Sequence, residues 1–222
     1  RSSRREQINM AGANIQWIQD QFFSSEKEKY GDKIFDYMDE VIKKIPPGSD
    51  HLICTPWMLG ERCPVSSTTT RATLFNISMV HTREHLMRAV YEGIGYNLRW
   101  ILENYSRDYG FSCDDFRIIG GGALDDAWMQ IIADITGKRF SVVKDPRNAG
   151  AVGAAIVALI GLGELPGFGS AKDFVQVEKH YEPDPVNRKI YNDLFDDYKN
   201  VYYALEGAYI KANGDRFKGE EQ

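Results

Sequence analysis

Ile118-Ile119-Gly120-Gly121-Gly122-Ala123-Leu124-Asp125-Asp126-Ala127-Trp128 decides how this chain is read. A short apolar run, 116–119, breaks off at three glycines, and acids then open an apolar-periodic segment that Gly137 stops after Thr136. The first part reads as a strand. The segment 126–136 reads as a helix, with glycine in its usual place just past the end. Glycines between strand and helix let a ligand touch the backbone, because no Cβ intervenes. The helix beyond them offers unpaired N–H groups and a partial positive charge, which suits a phosphate or the polar edge of a nucleotide. A plain strand-to-helix turn needing positive φ, with Asp125 or Asp126 as a cap, accounts for the same residues. Two acids repel a nearby anion, so the neutral part of any ligand is expected to face them.

Working outward, 140–143 is the next strand, closed by the turn Asp145-Pro146, and 149–160 is a helix of small residues. Residues 175–180 read as a strand or extended segment. Asp184-Pro185 opens a last long helix whose apolar face includes Ile190, Leu194, Tyr198, Val201 and Leu205, and 211–222 is polar and expected to fray. Upstream, Thr82 caps a helix with Leu86, Val90, Ile94, Leu98, Ile101 and Tyr105 at helical spacing. Before it, 51–54 and 72–79 read as strands around a loop at 55–70. Pro46-Pro47-Gly48 ends a single helix expected over 27–45, and 8–23 forms the first helix. Strands alternating with helices imply an α/β layer architecture.

At roughly 150 residues per domain, 222 residues allow one large α/β unit, placed at 1–214 with a polar tail at 215–222. Lys and Arg number 27 against 32 Asp and Glu, a net charge of −5, which argues against a nucleic-acid surface. No run approaches the ~18 apolar residues of a membrane span. Cys54, Cys63 and Cys113 have neither metal-ligand nor redox-pair spacing, as expected for reduced thiols in a cytoplasmic protein. The chain starts at Arg1 rather than Met, with no apolar leader, and is expected to begin partway through a longer product. The four histidines form no metal-type cluster, and His81 and His85 straddle a helix start, as surface or capping residues do. There is no Gly-x-Ser-x-Gly elbow and no Walker loop. Gly120-x-Gly122-x-x-Asp125 nearly matches the dinucleotide fingerprint, and Asp145 stands where a ribose-binding acid would be, so an oxidoreductase domain stays open as an alternative.

Several segments resemble, in order, the carboxy-terminal domain of the FGGY carbohydrate kinases, most of all the xylulokinases. They are Ala11-Gly12-Ala13-Asn14-Ile15-Gln16-Trp17, Gly60-Glu61-Arg62-Cys63-Pro64, Arg88-Ala89-Val90-Tyr91-Glu92-Gly93, Ile119-Gly120-Gly121-Gly122-Ala123 and the small-residue run 150–155. The resemblance implies one lobe of an actin-like, ribonuclease-H-type ATPase fold, lacking the amino-terminal lobe. It implies Mg²⁺-ATP as phosphate donor and a pentulose-like sugar as acceptor, xylulose first, with ribulose, gluconate, fuculose and glycerol open. Carried over, Gly121, Gly122 and Ala123 lie against the α-phosphate and ribose, Gly12 approaches the terminal phosphates, and Gln16 and Asp126 approach adenine. The Asp-x-Gly-Thr phosphate loop and the catalytic Asp of such kinases belong to the other lobe, so no catalytic or metal-ligating residue is expected in these residues. The chain alone is then expected to transfer no phosphate and to self-associate, as a homo-oligomer. A non-catalytic actin-like scaffold is the remaining alternative.

Overall fold

The computed structural model of the chain describes residues 11–214, so the start of the expected 8–23 helix and the expected tail at 215–222 lie outside the described residues. The elements run α1 (Ala11–Phe22), α2 (Ser24–Tyr30), α3 (Ile34–Lys44), β1 (Ile53–Thr55), β2 (Thr73–Phe75), α4 (Arg83–Tyr109), β3 (Asp115–Ile118), α5 (Asp126–Thr136), β4 (Arg139–Val143), α6 (Ala149–Gly161), α7 (Ala171–Phe174), β5 (Val177–Tyr181) and α8 (Pro185–Asn213).

α4 is the axis of the domain, and its buried residues face several directions at once. One side packs on β1, where a Cβ on Gly93 would lie 2.1 Å from the Cys54 carbonyl oxygen. Another packs on α5, and a third on α8 through Tyr96, Tyr191, Phe195 and Tyr198. A buried ion pair, Arg88 Nε to Glu92 Oε1 at 2.7 Å, joins α3, α4 and α8. Arg88 also donates to the Ile42 carbonyl and the Tyr191 hydroxyl, and Glu92 accepts from the Gly48 amide and Ser49 hydroxyl. The Gly60-to-Pro64 segment is likewise internal bracing: Glu61 is buried and accepts from Asn97 Nδ2. Two of the quoted motifs therefore build the scaffold that holds the others.

β1 and β2 pair antiparallel, apart from a second sheet ordered β3-β4-β5. β3 and β4 are parallel, linked through α5, and β5 closes the edge antiparallel. This mixed three-stranded sheet lacks the doubly wound parallel order that the dinucleotide alternative requires.

Three local expectations change. The 27–45 helix is two helices, because Gly31 takes φ +52° and breaks the ladder between α2 and α3. The 72–79 strand is only β2, ended by Asn76 at φ +68°, whose side chain donates to the His51 carbonyl. α8 runs to Asn213 instead of fraying from 211, because Asn213 Nδ2 donates to the Thr69 carbonyl and Tyr209 bonds to Thr73. Its start is as expected, with Asp184 accepting from the amides of Val186 and Asn187 and Pro185 in the first turn.

Candidate functional site

The carboxyl ends of the parallel pair β3 and β4 lie side by side, and each leads into a bend. After β3 comes Gly120, at φ +99°, a conformation that a side chain disfavours. Its amide donates to the Pro146 carbonyl at 2.8 Å, clipping the glycine bend to the turn after β4. Around Gly121 nothing lies within 4 Å of where a Cβ would stand, so the backbone is bare. At Gly122 the same position is 2.4 Å from Trp128 Cζ3; here glycine makes room for the indole. Within the bend, Ala123 donates to the Gly120 carbonyl and Asp125 to that of Gly122. The amides of Gly121 and Gly122 take no partner among the described residues. Adjacent bare amides of this kind form an anion-binding concavity.

The start of α5 differs from the sequence-based expectation. Its first amides are already used: Trp128 N–H donates to Asp125 Oδ1 at 2.8 Å, and Ala127 N–H donates to Asp39 Oδ1 at 2.7 Å. Both carboxylates also offset the positive end of the helix. The helix therefore offers a diphosphate neither the Ala127 nor the Trp128 N–H, its positive end is partly offset, and the most open donors for an anion are in the glycine bend. Burial, reinforced by the charge of Asp39 and opposed by the Trp128 amide, pushes the Asp125 carboxyl up to about 7.

Between α1, α3, α4, the bend and α5 lies a hollow of about 350 Å³. That is at the lower end of the roughly 300–1,000 Å³ of small-molecule sites. Its walls are largely aromatic and aliphatic, from Ile15, Phe35, Tyr91, Leu124 and Trp128. Of the polar atoms on its lining residues, Trp128 Nε1 is buried without a hydrogen-bond partner, while the Tyr91 hydroxyl and the Asp125 carboxyl face each other. Apolar walls beside bare glycine amides fit a heteroaromatic ring carrying an anionic tail.

Of the residues singled out from sequence, Gly12, Gly121 and Gly122 meet in this hollow. Gln16, one turn along α1, is exposed and does not line it. Ala123 is buried in the core, with its amide committed to Gly120. The Asp126 carboxylate turns to β5, accepting from Lys179 Nζ at 2.8 Å and the Tyr181 hydroxyl at 2.5 Å, and Lys179 helps hold it below the usual carboxylate range despite burial. Asp145 accepts from Asn148 Nδ2 and so shapes its own turn. Sequence reading missed Tyr91, Phe35 and Arg147 as lining residues. Tyr91 was hidden within a motif that otherwise braces the core, and Arg147 followed a turn read only as a strand end. Among the described residues no group of three or more histidine, cysteine or acidic side chains could hold a metal, and no helix is long and apolar enough to cross a membrane.

Comparison with known proteins bears on the family and the fold. Residues 5–162 match the C-terminal domain of the FGGY family of carbohydrate kinases. The chain is 34% identical over 194 residues to a xylulose kinase of Bacillus subtilis, covering 86% of this chain and 37% of that protein. It is 29% identical over 207 residues to a gluconokinase of Bacillus licheniformis, covering 92% and 40%. A ligand-bound xylulose kinase from Lactobacillus acidophilus superposes with a TM-score of 0.81 at 26% identity, over 93% of this chain and 40% of that one. The chain thus spans about 40% of the length of these relatives. Its fold is a lobe of an actin-like kinase, and by sequence and structure alike the chain belongs to the FGGY family of carbohydrate kinases, whose C-terminal domain it carries.

Proposed function

We propose that this lobe binds the ATP of a cytoplasmic carbohydrate kinase that transfers the γ-phosphate to a sugar hydroxyl, with xylulose as the acceptor. The observation that carries the reading is the pairing of two bare amides, Gly121 and Gly122, with an apolar, aromatic-walled hollow. Phosphates would lie on the bend, where no side chain intervenes at Gly121, and the ring would enter the hollow between Phe35, Tyr91 and Trp128. Mg²⁺ would arrive with the nucleotide and neutralise the phosphates during transfer. This chain's own task is to bind and orient: it fixes the phosphate chain and shields the base from water. The residue that removes the sugar's proton would lie outside this lobe, in the amino-terminal lobe that the resemblance implies. Gluconate is the second acceptor reading, favoured by the longer match to the gluconokinase.

The test is isothermal titration of the chain with ADP, alongside an ATP-turnover assay with xylulose and with gluconate. Saturable ADP binding and no sugar-dependent turnover are expected. Gly121→Val should abolish binding while leaving the melting temperature nearly unchanged, because the space beside Gly121 is open. Absence of ADP binding refutes the nucleotide reading. Turnover above background refutes the placement of the catalytic residue elsewhere.

A further inference from the structure

Arg147 lines the hollow beside Gly12, Gly121 and Gly122. It makes no ion pair or hydrogen bond among the described residues. Its neighbours differ in this respect. Lys43 and Lys179, which flank the acids at the start of α5, are spent on Asp39 and Asp126. An unpaired guanidinium beside two unpaired amides is a combination that a phosphate satisfies, through charge-assisted hydrogen bonds of matching geometry.

The backbone under Arg147 is fixed. Asp145 adopts φ +53°, its carboxylate accepts from Asn148 Nδ2 at 2.8 Å, and its carbonyl accepts from the Asn148 amide at 3.2 Å. The next carbonyl, that of Pro146, receives the Gly120 amide at 2.8 Å. Arg147 is therefore presented one residue from the clip that joins the two strand ends, at the carboxyl edge of parallel strands where α/β folds bind ligands. The acids of the hollow come from elsewhere: Asp32 and Asp36 from the start of α3 and the turn before it, and Asp125 from the start of α5. The hollow thus carries one cation, Arg147, and three acids, Asp32, Asp36 and Asp125, on different elements.

We propose that Arg147 binds the phosphate chain and sets the direction of the nucleotide, phosphates on the glycine bend and base toward Tyr91, Asp125 and Trp128. The assignment rests on the nucleotide reading above. An exocyclic amine on the base would face carboxylates there, whereas the phosphates would be repelled from them.

The experiment titrates the chain with ADP, AMP and adenosine, read by calorimetry and by tryptophan fluorescence, to which Trp128 in the wall of the hollow contributes. Arg147 is exposed and unpaired, so Arg147→Ala is expected to fold normally, with circular dichroism as the check. It should weaken ADP by about tenfold or more, leave adenosine within about twofold, and flatten the salt dependence of ADP binding. Arg147→Lys should recover part of the loss, since it keeps the charge without the planar fork. ADP affinity unmoved by Arg147→Ala, or adenosine weakened as much as ADP, overturns the assignment while the nucleotide reading stands. Failure of the unaltered chain to bind ADP overturns both.

Discussion

Asp125 caps α5 with one carboxylate oxygen and keeps the other buried beside Tyr91 and the charge of Asp39. Its carboxyl is raised to about 7, against an ordinary value near ~3.9 in an unfolded chain. Between about pH 4 and pH 7 the folded chain therefore binds the extra proton. The stabilisation from this group is complete below about pH 4 and is lost as pH rises through about 7. Thermal unfolding of the unaltered chain should lose stability between about pH 4 and pH 7 relative to Asp125→Asn, which keeps the cap but cannot titrate. Parallel pH dependences in the two proteins would show that Asp125 does not titrate in this range. The glycines divide at the same scale. Gly122→Ala pushes a methyl into the Trp128 ring and is expected to cost about 1–3 kcal/mol in denaturant unfolding. Gly121→Ala meets nothing and should stay within about 0.5 kcal/mol. Sequence could identify three glycines at a strand end but could not separate these reasons, because the indole that claims Gly122 arrives only through the packing of α5.

Among elements, α4 carries the most, and its sequence motif was legible without its purpose. Arg88, Glu92 and Gly93 look like a functional signature, yet Arg88 and Glu92 form a buried pair shared with α3 and α8, and Gly93 admits the β1 backbone. Gly93→Ala would set a methyl 2.1 Å from a carbonyl that belongs to a strand and cannot swing aside. We expect a loss of at least about 3 kcal/mol or failure to fold, measured by urea unfolding. Helix ends written in local chemistry were readable, as at Asp184-Pro185 and Gly137. The break at Gly31 was missed although the apolar stripe lies wholly beyond it, from Ile34 onward; the φ of +52° at Gly31 is what separates the polar α2 from α3. The use of the α5 amides was equally invisible, because Asp39 lies 88 positions from Ala127 and reaches it only in the fold.

For the whole molecule, α6 is the unusual surface. It is built of Gly, Ala, Val, Leu and Ile, yet of its residues only Ile156 is buried, while Val152 and Val157 are exposed, as is Leu162 just beyond its end. Gly150 and Gly153 have open space where a Cβ would stand, so another backbone can approach closely. A large apolar face of this kind marks an interaction site. The isolated chain is expected to self-associate through it, with sedimentation coefficients that rise with concentration and a Val157→Lys variant that stays monomeric. A monomer at all concentrations, or association indifferent to Val157→Lys, would contradict this. The α/β architecture and the kinase resemblance were legible because they rest on local runs in chain order. The hollow was not, since its lining draws on α1, α3, α4, α5 and the turn after β4.

The central claim is that a nucleotide's phosphates occupy the bare amides of the glycine bend, and amide nuclear magnetic resonance of the ¹⁵N-labelled chain tests it most directly. On adding ADP, the Gly121 and Gly122 amide resonances should move most, with smaller changes at Ala127 and Trp128, whose N–H groups are held by Asp39 and Asp125. Shifts confined to other parts of the chain, with Gly121 and Gly122 unmoved at saturation, would contradict the account.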